Sequence, residues 1–169
     1  MVGLVISDTF LLCAAWVRDG DSSVLQSLAR VPFSESITSI IYDEAELNSV
    51  LASALRKSKE TYPFDGQDVV VGLPDKIIRH SIVESDLDLS REDCIDYIYW
   101  IELQKARPNS QAVSIFGKVY LTDESNIHVC SVSSAIIRAI GLSITELGGT
   151  ASWMGPGNSL YHDGSGMSG

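Results

Sequence analysis

Val2-Gly3-Leu4-Val5-Ile6-Ser7-Asp8-Thr9-Phe10-Leu11-Leu12-Cys13-Ala14-Ala15-Trp16-Val17 opens the chain and decides how the rest is read. Two apolar runs, residues 2–6 and 10–17, are joined by only three small polar residues. The runs have few polar interruptions and read as strands buried on both faces. Ser7, Asp8 and Thr9 fit a tight hairpin loop. A hairpin at the head of an α/β domain is a common place to hold a phosphate. Whether this turn is built for one separates an enzyme from a binding module.

Arg18-Asp19-Gly20-Asp21-Ser22 predicts a second turn, with Gly20 supplying the permissive backbone. A third strand over residues 24–31 completes an antiparallel meander, which Pro32 ends. Asp43 then reads as an N-cap with Glu46 three residues on. Leu47, Val50, Leu51, Ala54 and Leu55 follow with helical spacing and form one apolar face. Arg56, Lys57 and Lys59 read as a solvated cluster that meets the negative end of that helix. Asp68–Leu73, with Val69-Val70-Val71, predicts a central strand. Residues 77–83 predict a half-buried strand in which Ile78, His80 and Ile82 share a face.

Ser90 and Asp93 start a second long helix, whose apolar side carries Cys94, Ile95, Ile98, Ile101 and Leu103. Tyr97 and Trp100 extend that side as core residues; exposed, they would be anchors for a partner peptide. Residues 112–121 and 127–132 read as strands. A short helix over 133–140 stops at Gly141, and a last strand is expected over 142–147. Gly, Ser and Pro dominate the final stretch, so residues 151–169 are expected to be a flexible tail.

Bulk composition narrows the function classes. A 45% apolar fraction is ample for one core, and the formal net charge is -10. That charge argues against nucleic acid, whose phosphates require clustered Lys and Arg. It also disfavours adsorption to an anionic membrane, and no apolar run approaches the ~20 residues of a span. Three distant cysteines, Cys13, Cys94 and Cys130, each lie in an apolar run and read as free thiols in a reducing compartment. His80, His128 and His162 form no i,i+4 pair and have no neighbouring Cys pair, so no metal site is expected. Glu84, Asp86 and Asp88 lack the Gly and closing Glu of a calcium loop. No nucleophile motif is present.

The element order is a meander, a helix and a strand, followed by further strands and helices. It resembles a ribonuclease H-like half-domain, and in particular the first lobe of the PilM and FtsA group of actin-like proteins. The residues that carry this likeness are Val69-Val70-Val71-Gly72-Leu73-Pro74, the strand at 77–83, the helix opening Leu89-Ser90-Arg91-Glu92, and Ala106-Arg107-Pro108. Residues 127–131, the helix at 133–140 and Gly141-Leu142 resemble the return from the insert. The resemblance implies an α/β actin-like ATPase half-domain over residues 1–150, with a small βαβ insert at about 75–122.

In that group the first hairpin of an active ATPase carries Asp, then Gly and a later Lys or Thr. Here Val5, Ser7 and Leu12 stand at those positions. The resemblance therefore implies that Ser7, Asp8 and Thr9 are a degenerate phosphate loop, with no cofactor expected. Gly148-Gly149-Thr150 has the look of a nucleotide loop but reads as a chain exit. The implied role is a non-catalytic cytoplasmic scaffold of a type IV pilus or type II secretion platform, peripheral to the inner membrane. It would bind the short cytoplasmic tail of a membrane-anchored partner, without direct insertion. The alternative is one lobe of an ATP- and magnesium-binding actin-like ATPase of the cell-division or filament type.

Overall fold

The opening hairpin is the middle of a five-stranded sheet. The structure, a computed structural model, describes residues 1–84, 90–105, 113–120 and 126–157. Strands β1 (Val2–Ile6), β2 (Phe10–Asp19) and β3 (Ser22–Pro32) form the expected antiparallel meander. Strand β4 (Asp68–Leu73) lies parallel to β1. A further strand, β8 (Thr150–Pro156), lies parallel to β4 and gives the order β3-β2-β1-β4-β8. A meander followed by parallel strands in this order is the ribonuclease H-like arrangement.

One face of this sheet is sealed. Val2, Leu4 and Ile6 of β1 alternate with partly exposed residues, as do Leu11, Cys13 and Ala15 of β2. The opening strands are therefore covered fully on one face only. On the other face, Trp16 lies against Gly3 and Trp153 against Gly155; a Cβ at either glycine would sit 2.5 Å from the ring. Burial of Cys13 pushes its thiol up to about 11.

Helices cover the sealed face. Helix α1 (Ile37–Ile40) is a single turn, and helix α2 (Glu44–Thr61) follows it. The predicted cap of α2 is present, because Asp43 Oδ1 accepts from the Glu46 amide at 3.0 Å. The five predicted apolar positions are all buried. Helix α4 (Ser134–Glu146) packs alongside α2 and buries Ile136, Ala139, Ile140 and Ile144. The helix runs straight through Gly141, so the strand expected over 142–147 does not exist. Helical spacing from Ile136 to Ile144 on one buried face outweighs the stop signal of a single glycine.

Helix α4 ends instead at Gly148, whose φ is +86°. The Gly148 amide donates to Thr145 O and the Gly149 amide to Ile144 O, which is a Schellman turn. Gly148-Gly149-Thr150 is thus the turn from α4 into β8. The expected tail must also be corrected. Residues 151–156 are strand, held by backbone pairing from Val69 to Leu73.

A second sheet, ordered β5-β7-β6, is inserted between β4 and α4. It comprises β5 (Arg79–Glu84), β6 (Val113–Tyr120) and β7 (Asn126–Ser133), all antiparallel. Helix α3 (Arg91–Lys105) packs against it over a separate small core of Val83, Cys94, Ile98, Ile127 and Val129. The insert therefore extends to β7 rather than ending near residue 122, and it contains three strands rather than two. Asp86, Asp88, Ala106-Arg107-Pro108 and His162 lie outside the described residues.

Candidate functional site

Because β1, β4 and β8 are parallel, their carboxyl ends open on the same edge of the sheet. Open α/β sheets place ligand sites at this edge. Three segments meet here: the turn Ser7-Asp8-Thr9 after β1, the 3-10 turn Asp75–Ile77 after β4, and Gly157 after β8. Gly157 approaches the β4 backbone so closely that a Cβ would lie 3.1 Å from Leu73 O.

The Ser7-Asp8-Thr9 turn is tied down on several sides. The Ser7 amide donates to Phe10 O at 2.8 Å, which closes the hairpin. Thr9 O accepts from the Phe33 amide, and Asp8 O accepts from the Ile37 amide. The Asp8 carboxylate completes the capping of α1. Its Oδ1 accepts from the Thr38 amide at 3.0 Å and from the Thr38 hydroxyl at 2.9 Å. Its Oδ2 accepts from Lys76 Nζ at 3.3 Å. The Thr38 amide bond, then the Thr38 hydroxyl and Lys76, hold the Asp8 carboxyl below its ordinary value. The turn is an anionic set of acceptors with its donors already in place.

Lys76 and Thr38 carry no local sequence signal. Each matters because a contact of 68 or 30 residues' separation brings it to Asp8. Lys59, read from sequence as one of a solvated cluster, also has a specific partner. Its Nζ donates to Leu147 O at 2.9 Å and to Asp65 Oδ1 at 3.2 Å, so it caps α4 as well as closing α2.

The insert holds the other unforeseen chemistry. Glu102 is fully buried on α3. Ser81 and Ser131 hydroxyls donate to its carboxylate, Lys105 Nζ lies 3.4 Å away, and Arg79 Nη1 lies 3.9 Å away. Burial alone would raise this carboxyl, but the bonds from Ser131 and Ser81 and the charge of Lys105 leave it below its ordinary value. The sequence signal was a glutamate four residues beyond Ile98 and eight beyond Cys94, on the buried stripe. Tyr97 and Trp100, expected in the core, are exposed. His80 and His128, expected to be scattered, stack with centroids 5.3 Å apart, next to Cys130.

No family model matches the chain, and no curated protein matches it. Solved structures do. A chain of the PilM-PilN type IV pilus biogenesis complex superposes with a TM-score of 0.66 at 13% identity, covering 92% of this chain and 46% of that one. The α/β fold, with its sheet order β3-β2-β1-β4-β8, is shared with about half of that chain. The cytoplasmic domain of EpsL, an inner-membrane component of the type II secretion system of Vibrio cholerae, superposes with a TM-score of 0.56 at 14% identity. That match covers 92% of this chain and 56% of the other. The chain thus spans about half the length of the solved chains it matches. Among the described residues, no helix is long and apolar enough to cross a membrane.

Proposed function

We propose that this lobe serves as a non-catalytic scaffold of a pilus-assembly or secretion platform and holds a cytoplasmic segment of a membrane-anchored partner. The observation that carries this reading is the commitment of Asp8. Its carboxylate caps α1 through Thr38 and pairs with Lys76, at the edge where an actin-like ATPase would receive phosphate. The Asp8 carboxylate is therefore already engaged, and Ser7-Asp8-Thr9 has no glycine to let its backbone approach a phosphate. The likeness to the PilM-PilN complex and to EpsL supports the platform role. A net charge of -10 favours a partner segment that carries basic residues.

Calorimetric titration of the chain with magnesium and ATP tests the reading. The expected result is no submillimolar binding. A basic tail peptide from a membrane partner is expected to bind, and to weaken as salt screens the charges. Submillimolar binding of ATP would replace the scaffold with the ATPase alternative.

A further inference from the structure

Among the described residues, one group of three His, Cys or carboxylate side chains brings its donor atoms together: His80, His128 and Cys130. The backbone register explains the grouping. Residues of β5 and β7 pair as His80 with Cys130 and Ile82 with His128. All three side chains therefore project from the same face of the insert sheet, opposite the face that packs Val83, Ile127 and Val129 against α3. His80 is exposed and the other two are partly exposed, which leaves the cluster open to an entering ion.

His80 Nδ1 is 3.3 Å from His128 Nε2 and 3.5 Å from Cys130 Sγ. A tetrahedral zinc ion, with bonds of about 2.0–2.1 Å to nitrogen and about 2.3 Å to sulfur, spaces its donors at roughly 3.4 Å and roughly 3.6 Å. Both contacts already sit at those spacings. The remaining edge lies within 4.8 Å and closes by side-chain rotation. A single proton on His80 Nδ1 satisfies only one of its two neighbours, whereas a metal ion satisfies both. Two imidazoles and a thiolate suit zinc rather than magnesium or calcium, which take oxygen donors.

We propose that His80, His128 and Cys130 form a zinc site with an open fourth position for water or an incoming ligand. Binding joins neutral His80 and His128 nitrogens and the Cys130 sulfur to the ion, and the thiol proton leaves to solvent. The ion clips β5 to β7 across 50 residues of chain and stiffens the insert.

Cobalt is the probe. Co2+ is titrated into the full chain, previously freed of metal with a chelator, while absorbance is followed. The expected result is one Co2+ per chain, with a thiolate-to-cobalt charge-transfer band in the near ultraviolet, and displacement by Zn2+. C130S should abolish the band. Loss of a supporting group around a metal ligand already weakens affinity by about 10–100-fold, so H80Q and H128Q should each weaken it by at least about tenfold. Metal-free C130S should melt like the wild type, which separates lost ligation from misfolding. No charge-transfer band in the wild type, or a band of unchanged affinity in both histidine variants, overturns the proposal.

Discussion

Asp8 Oδ1 accepts two hydrogen bonds from a single residue, Thr38: the amide at 3.0 Å and the hydroxyl at 2.9 Å. This pairing anchors the first turn of the sheet to the first helical turn 30 residues later. It has a direct consequence for acid stability. The folded Asp8 carboxyl titrates below its ordinary value of 3.8. Asp8 therefore contributes stability that is fully present above that value and is lost as pH falls through the lower, folded pKa. Asp8→Asn is expected to melt at a lower temperature than the wild type near neutrality. The two curves should converge as pH drops below 3.8. A melting-temperature difference that stays constant into acid would contradict this assignment.

Glu102 makes the insert acid-sensitive in the same direction. Its carboxyl is held below its ordinary value of 4.5, so the stability it contributes falls away in acid below that point. Glu102→Ala leaves the Ser81 and Ser131 hydroxyls without their acceptor. The expected cost is about 1–3 kcal/mol, concentrated in the insert. Amide hydrogen exchange should show faster opening of β5 and β7, with α2 protection unchanged. Equal loss of protection in α2 would mean that the insert and the main core unfold as one unit.

Gly148 cannot accept a side chain without strain. Its φ of +86° lies in the left-handed region, and a Cβ would sit 2.5 Å from Asp65 Oδ1 and 3.3 Å from Asp65 Cα. Gly148→Ala is expected to destabilise by more than about 1 kcal/mol, read from the urea midpoint at unchanged slope. Gly20→Ala makes a useful comparison. It also has positive φ, but nothing lies within 4 Å of its Cβ position, so its cost should be smaller.

Asp43 caps α2 through the Glu46 amide, while its own amide donates to Ile40 O. Asp43→Ala is expected to cost about 1 kcal/mol, and Asp43→Ser to restore most of it. Chemical denaturation followed by circular dichroism measures both. A serine variant no better than the alanine one would show that the hydrogen bond is not what stabilises this helix start.

Features that rest on neighbours in sequence were legible in advance. The first hairpin, the meander, the cap and buried face of α2 and the strand Asp68–Leu73 all follow from periods of 2 or 3.6 and from local turn chemistry. The Ser90 opening of α3 was equally clear, with Ser90 Oγ accepting from the Asp93 amide at 3.1 Å. The α4 region misled because Gly141 is a strong local stop signal, yet the buried face from Ile136 to Ile144 continues past it. The final strand was hidden because Thr150–Pro156 has little apolar periodicity and is held by pairing with β4.

Residue order was enough to tell which side chains share a face in β1, β2 and α2, but not in α3, where Ile95, Tyr97 and Trp100 of the expected apolar side are exposed. It put His80 on one face of its strand, and the same two-residue period puts His128 and Cys130 together on theirs. The register of β5 against β7, which sets His80 opposite Cys130, comes from long-range packing. Such packing also decided that Glu102 lies beneath Ser81 and Ser131, and that Asp8 meets Thr38 and Lys76. The physical reason is the same in each case. Backbone geometry fixes a side chain's direction within one or two turns of chain, whereas a contact across 21 to 68 residues depends on how whole elements pack.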